Sequence, residues 1–169
     1  MSFSPCFIVP VYNHGATVGA TVMALDAHGL PIYLVDDGSA AATAEELDRL
    51  AARMPRIRLV RRETNGGKGA AVMSGINAAF ADGLTHALQV DADGQHALAD
   101  IPDFLSAARA TPEALICGVP EYDTSIPKGR LYGRYATHIW VWIETLSFEI
   151  KDSMCGFRVY PLPPTLALI

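Results

Sequence analysis

Cysteine is scarce in this chain. Its three residues, Cys6, Cys117 and Cys155, lie far apart and form no metal-ligand spacing. An odd, sparse count fits free, buried thiols in a reducing compartment. Excess positive charge is missing too. A formal net charge of -5 argues against a general nucleic-acid binder. The start, Met1-Ser2-Phe3-Ser4-Pro5, lacks a basic region followed by a long apolar stretch, so no signal peptide is read there. The longest apolar passage, around Ile139-Trp140-Val141-Trp142-Ile143, is broken by Glu144 and Glu149. It is too short and too charged to span a bilayer. Repeats, low-complexity tracts and linkers are absent. What remains is a 169-residue chain, half of it hydrophobic, enough for one domain with a real core.

Apolar runs alternate with helical patterns. Phe7 to Val11, Ile32 to Val35, Ile57 to Val60, Ala87 to Val90 and Ala114 to Val119 read as five strands, and Phe157 to Tyr160 as a short sixth. Between them, Val18, Val22 and Leu25 recur at helical spacing up to Gly29. Thr43 and Glu46 have capping-box spacing ahead of Leu47, Leu50 and Met54. Val72, Ile76, Ala79 and Phe80 mark a third helix. Asp100 to Ala108 and Leu131 to Glu149 are read as two more. Strands alternating with helices imply crossovers, hence an α/β fold with a mainly parallel sheet covered on both faces.

In such sheets ligands bind beyond the carboxyl ends of the strands, and the polar clusters fall there. Tyr12-Asn13 follows the first strand, Asp36-Asp37-Gly38-Ser39 the second and Asp91-Ala92-Asp93 the fourth. In an extended segment Asp91 and Asp93 project to one side and can converge on a hard divalent cation such as Mg²⁺ or Mn²⁺. An Asp-x-Asp taken alone is more often a solvated strand exit. Its neighbours on the same sheet edge reverse those odds. Asp36 and Asp37 suit a base N–H or ribose hydroxyls, or a plain turn. Asn65-Gly66-Gly67-Lys68-Gly69 precedes a helix without P-loop spacing; its glycines admit a ligand and Lys68 offers a charge for phosphate. Lys128, Arg130 and Arg134 are candidates to grip a phosphate, against a solvated basic face. Arg61 and Arg62 read as surface charges. Asp152, in Asp152-Ser153-Met154-Cys155-Gly156-Phe157-Arg158, is a general-base candidate or a helix-terminal aspartate. His96 is a candidate helper at the metal or diphosphate; His14, His28, His86 and His138 read as ordinary polar positions.

Together, Val9-Pro10-Val11-Tyr12-Asn13, Val35-Asp36-Asp37-Gly38-Ser39, Asn65-Gly66-Gly67-Lys68-Gly69-Ala70-Ala71, Val90-Asp91-Ala92-Asp93-Gly94-Gln95-His96 and Asp152 to Arg158 resemble the family 2 glycosyltransferases of the GT-A fold. The branch they look most like is the dolichyl- or polyprenyl-phosphate sugar transferases. The resemblance covers nearly the whole chain and implies one catalytic domain, 1–169, lacking its C-terminal acceptor-side segment. It implies a Rossmann-like sheet and an inverting, metal-dependent transfer from a UDP- or GDP-sugar to a polyprenyl phosphate or another lipid or glycan acceptor. Cell-envelope polysaccharide or glycolipid synthesis is the setting. Pro10, Tyr12, Asn13 and Asp37 then line the donor site, with Asp36 in support. Asp91 and Asp93, with Ala92 between them and Gln95 nearby, hold Mg²⁺ or Mn²⁺ against the diphosphate. Asp152 takes the catalytic position, and Lys68 and Arg158 are phosphate candidates.

Two departures stand out. Members of that branch often carry an acid where this chain has His14, which leaves the donor's base and sugar open. Family catalytic domains also usually continue beyond the Cys-Gly-Phe-Arg strand. The apolar end Pro163-Pro164-Thr165-Leu166-Ala167-Leu168-Ile169 then suggests a truncated chain, a fragment, or a partner covering the gap, and a homo-oligomer is a further expectation. A cytoplasmic location is expected, with peripheral contact at the membrane face. Two rival readings are a sugar-nucleotide-binding chain without transfer and a nucleotidyltransferase on a related sheet.

Overall fold

A computed structural model describes residues 2–94, 96–119, 141, 143 and 155–168. The chain divides into two compact units, Met1–Ile116 with Phe157–Ile169, and Cys117–Gly156. The first carries β1 (Pro5–Val11), α1 (Gly15–Asp26), β2 (Ile32–Asp36), α2 (Ala41–Arg53), β3 (Ile57–Arg61), α3 (Lys68–Ala81) and β4 (His86–Gln89). A 3₁₀ turn (Leu98–Asp100), α4 (Ile101–Ala110) and β5 (Ile116–Cys117) follow, the last ending where the second unit begins. β6 (Arg158–Pro161) and α5 (Leu162–Ala167) return to the first unit.

The six strands lie in the order β3-β2-β1-β4-β6-β5. β1 pairs in parallel with β2 and β4, β2 in parallel with β3, and β6 runs antiparallel to β4. The sheet is mixed α/β and mainly parallel, as the alternation of elements predicts. All five residues of β2 are buried, because helices cover both faces. A strand buried on both sides reads as an unbroken apolar run. On one face, Cys6, Ile8, Tyr33 and Val35 form a core with Ala71, Val72, Ile76 and Ala79 of α3 and Leu162 of α5. α1 packs on β1 and β2, and α2 on β2 and β3. α3 approaches closely at Gly75, where a Cβ would fall 2.8 Å from Ile8 Cγ2 and 3.0 Å from Val35 Cγ2. Any side chain there would push the helix off the sheet.

Three local expectations are corrected. Thr43 and Glu46 form no capping box: α2 starts after Ala40, has no side-chain cap of its own, and Thr43 is already inside the first turn and buried. The fifth strand shrinks to Ile116–Cys117. The fourth helix begins as a 3₁₀ turn and extends to Ala110. α5 was not expected from Leu162-Pro163-Pro164, yet both prolines sit in its first turn, where a missing N–H costs nothing. The helix expected over Leu131 to Glu149 lies outside the described residues, apart from Val141 and Ile143.

Candidate functional site

The chain leaves β1, builds β2 and β3 on one side, then returns to place β4 on the other. That reversal puts a crevice between the carboxyl ends of β1 and β4. A cleft of about 490 Å³ opens there. Its walls include Pro10, Tyr12 and His14 from β1 and its exit, and Asp37 from the exit of β2. Asn65, Gly67 and Lys68 come from the turn into α3, and Asp91, Ala92 and Asp93 from the exit of β4. Three polar strand exits, expected from the sequence to share one sheet edge, therefore line one cavity. His14, read as an ordinary polar position, is part of its wall.

Asn13 lies outside that lining. It adopts a left-handed backbone (φ 58°) that few non-glycine residues tolerate. Its N–H donates to Ser39 Oγ at 3.1 Å, and its Oδ1 accepts from Ala40 N at 2.9 Å. Asn13 thus ties the β1 exit to the start of α2.

Asp36 and Asp37 are 3 % and 2 % exposed. Asp36 accepts from Ser39 N at 2.9 Å and pairs with Arg61 at 3.4 Å. Asp37 accepts from Gly66 N at 3.0 Å, Gly67 N at 2.9 Å and Arg62 Nε at 2.7 Å. Arg61 and Arg62 are therefore not simple surface charges. Arg61 ends β3 and Arg62 follows it, and the two side chains part: Arg61 reaches Asp48 and the Ala44 carbonyl on α2. Arg62 reaches Ser74 Oγ and the Ala70 carbonyl on α3. The sequence signal was present in the Asp-Asp and Arg-Arg doublets, but only strand register pairs them; Asp36 sits opposite Arg61.

β4 ends at Gln89, so Asp91-Ala92-Asp93 leaves it as a turn and strand alternation does not orient the two acids. Thr17 Oγ1 of α1 donates to the Ala92 carbonyl at 2.8 Å and fixes that turn. Lys68 Nζ lies 2.7 Å from the Asp91 carboxylate. Gln89, buried and unnoticed in the sequence, donates to Asp91 Oδ1 at 3.3 Å and accepts from Tyr160 at 3.1 Å. His96 Nε2 lies 3.1 Å from Asp91 Oδ2, its ring stacked on Phe157. Partial burial alone would raise the Asp91 pKa, but contact with His96 and the Lys68 ammonium outweighs it and holds the carboxyl well below the usual range. Asp91 is thus a fixed anion at the cleft. Asp93 is exposed beside it.

Among the described residues, no group of three or more His, Cys, Asp or Glu is arranged to hold a metal ion. The oxygen donors of the acid pair suit a hard cation that takes its other ligands from substrate and water. Arg158 opens β6 opposite Gln89. Gln95, Lys128, Arg130, Arg134 and Asp152 lie outside the described residues. No helix among the described residues is long and apolar enough to cross a membrane.

The family model described as glycosyl transferase family 2 matches residues 6–169. The chain is 31% identical over 141 residues to a dolichyl-phosphate beta-glucosyltransferase of Dictyostelium discoideum, covering 76% of this chain and 42% of that protein. It therefore spans less than half the length of that relative. Among solved structures, glucosyl-3-phosphoglycerate synthase from Mycobacterium tuberculosis in complex with UDP superimposes with a TM-score of 0.70 at 14% identity, covering 96% of this chain and 58% of that one. The mannosyltransferase PcManGT from Pyrobaculum calidifontis, in complex with GDP-Man and Mn²⁺, gives a TM-score of 0.56 at 20% identity, covering 69% and 35%. At such identities the structures speak for the GT-A fold alone.

Proposed function

The chain belongs to glycosyl transferase family 2, and from that premise we propose that it binds a sugar nucleotide in the β1/β4 cleft and carries the donor half of an inverting sugar transfer. The observation that carries the reading is the convergence of Asp37, Lys68, Asp91 and Asp93 on one cavity at the switch point of a mainly parallel sheet. Pro10, Tyr12 and Asp37 receive the nucleoside, with Tyr12 already 48% exposed at the mouth. Lys68 starts α3 at the cleft, so its ammonium and the positive end of the helix both favour a diphosphate. Asp91 and Asp93 are the carboxylates to hold a divalent cation, with Gln95 the next candidate. When bound, that cation offsets charge growing on the leaving diphosphate.

Donor binding gives the Lys68 ammonium a second anion to meet, and its exchange between Asp91 and phosphate keeps the charge balanced. Asp152 is the carboxylate proposed to orient or deprotonate the acceptor. An acceptor phosphate is already nucleophilic, so orientation is the larger part of that role. Lys128, Arg130, Arg134 and Arg158 are proposed for the phosphate of a lipid-linked acceptor, at the cytoplasmic face of a membrane. The dolichyl-phosphate relative supports this acceptor class. One attack in line with the leaving group inverts the anomeric centre and needs no covalent intermediate.

The test is turnover of UDP- and GDP-sugars with Mg²⁺ or Mn²⁺ and a polyprenyl phosphate, for wild type, Asp91→Asn and Asp93→Asn. Each substitution is expected to cost about 100-fold or more in kcat. Metal-independent turnover that survives both would overturn the metal assignment. Failure of UDP and GDP to raise the melting temperature would overturn the donor site.

A further inference from the structure

We propose that Arg62 is a positioning residue for the donor diphosphate. It is not part of the cleft wall, yet it fixes the turn that delivers Lys68 to it. The proposal rests on the sugar-nucleotide reading above.

The side chain sits at a junction of three segments. Its backbone N–H donates to the Asp36 carbonyl at 2.9 Å, anchoring it beside the end of β2. Nε donates to Asp37 Oδ1 at 2.7 Å. Nη1 donates to Ser74 Oγ at 2.8 Å and to the Ala70 carbonyl at 3.3 Å. The same Asp37 carboxylate accepts the amides of Gly66 and Gly67. One guanidinium therefore neutralises the carboxylate that holds the turn and grips the first two turns of the helix that follows. Lys68 lies between those two attachments, as the first residue of α3.

Gly66 gives an independent sign of the same device. A Cβ there would fall 2.4 Å from Arg62 Nη2 and 3.0 Å from Ala70 Cβ. The turn is shaped around the guanidinium. A lysine would supply the charge but not the planar fork that spans a carboxylate, a hydroxyl and a carbonyl at once. Loss of Arg62 leaves Asp37 buried without its cation and frees the start of α3, so Lys68 loses its aim.

The test compares wild type with Arg62→Ala and Arg62→Lys. Hydrogen exchange in the ligand-free protein reads the Gly66 and Gly67 amides. Calorimetry with UDP, GDP, uridine and guanosine reads how much affinity the diphosphate adds. In Arg62→Ala, exchange at Gly66 and Gly67 is expected to quicken about tenfold or more, while β1 and β4 amides keep their protection. The ratio of nucleoside to nucleoside diphosphate Kd is expected to fall by about tenfold. Arg62→Lys should show both changes in smaller degree, and it carries the test if the alanine variant does not fold. Unchanged protection at Gly66 and Gly67 overturns the proposal whatever the nucleotides do. So does an unchanged Kd ratio in a folded variant. Wild type that binds no nucleotide overturns the donor-site reading instead, and the exchange measurement still decides whether Arg62 holds the turn.

Discussion

At the end of β2, Asp36 and Asp37 are buried, and each meets an arginine at the end of β3 or just beyond it and a backbone amide. At the end of β4, Asp91 is half-buried against a lysine whose side chain is 50% exposed, and Asp93 stands exposed. Both exits present two acids at the carboxyl edge of one sheet. They differ in what occupies the carboxylates. Asp37 is committed to shaping a turn, because a buried charge must be paired and hydrogen-bonded to be tolerated. Asp91 is held by Gln89, His96 and Lys68, and of these only the half-exposed lysine is a flexible surface cation whose contact can be exchanged at small cost. Both exits line the cleft, but the first is fixed by buried pairing while the second keeps one exchangeable partner, Lys68.

The strongest way to break that comparison is to remove one carboxylate from each exit. Asp37→Ala leaves Arg62 partly buried without its counter-ion and is expected to cost about 3–5 kcal/mol in urea unfolding. Asp91→Ala should cost about 1 kcal/mol or less. Equal losses would dissolve the distinction.

The glycines behind the two acid pairs sharpen it. Gly38 and Gly94 share a φ of 72°, so alanine is strained at both. A Cβ at Gly38 would also lie 2.8 Å from Asn65 N, whereas at Gly94 the nearest atom is Thr21 Oγ1 at 3.9 Å. Gly94→Ala is expected to lose about 1–2 kcal/mol and Gly38→Ala clearly more, by the same unfolding measurement.

The smallest effect is in acid. The Asp91 carboxyl is held below its unfolded value of about 3.9. Its contribution is therefore present above about pH 4 and is lost as pH falls through the folded value. Melting curves of Asp91→Asn and wild type should run parallel above about pH 5 and converge below about pH 4. Curves that stay parallel throughout would show that Asp91 adds no acid-labile stability.

Much of the scaffold was legible because its physics is local. β1, β2 and β4 are buried on both faces, so their apolar runs could hardly be anything else. Val18, Val22 and Leu25 of α1 are all buried, as helical spacing requires. Thr43 and Glu46 misled because capping-box spacing recurs inside helices, and only chain entry from Ala40 decides where α2 starts. Asp91 and Asp93 were placed at the right edge by the wrong geometry: the strand had already ended at Gln89. Arg62 looked like any surface arginine, since nothing within its own segment names Asp37 or Ser74 as partners. Gln89 and Thr17 were passed over for the same reason; each acts on a residue more than one element away or across a turn.

By itself, the sequence determined the alternation of strands and helices, the carboxyl-edge position of each polar cluster, and the family those clusters mark. Those properties depend on burial period and on short motifs, which neighbouring residues specify. Only the tertiary structure decided which acids are buried in the scaffold and which stand at the cleft beside a half-exposed lysine. That division rests on pairings across the sheet, Asp36 with Arg61 and Asp37 with Arg62, and on the meeting of Lys68 with Asp91 over 23 residues of chain. Charge pairing of this kind depends on distance in space, and distance in space is fixed only when the parallel strands are laid side by side.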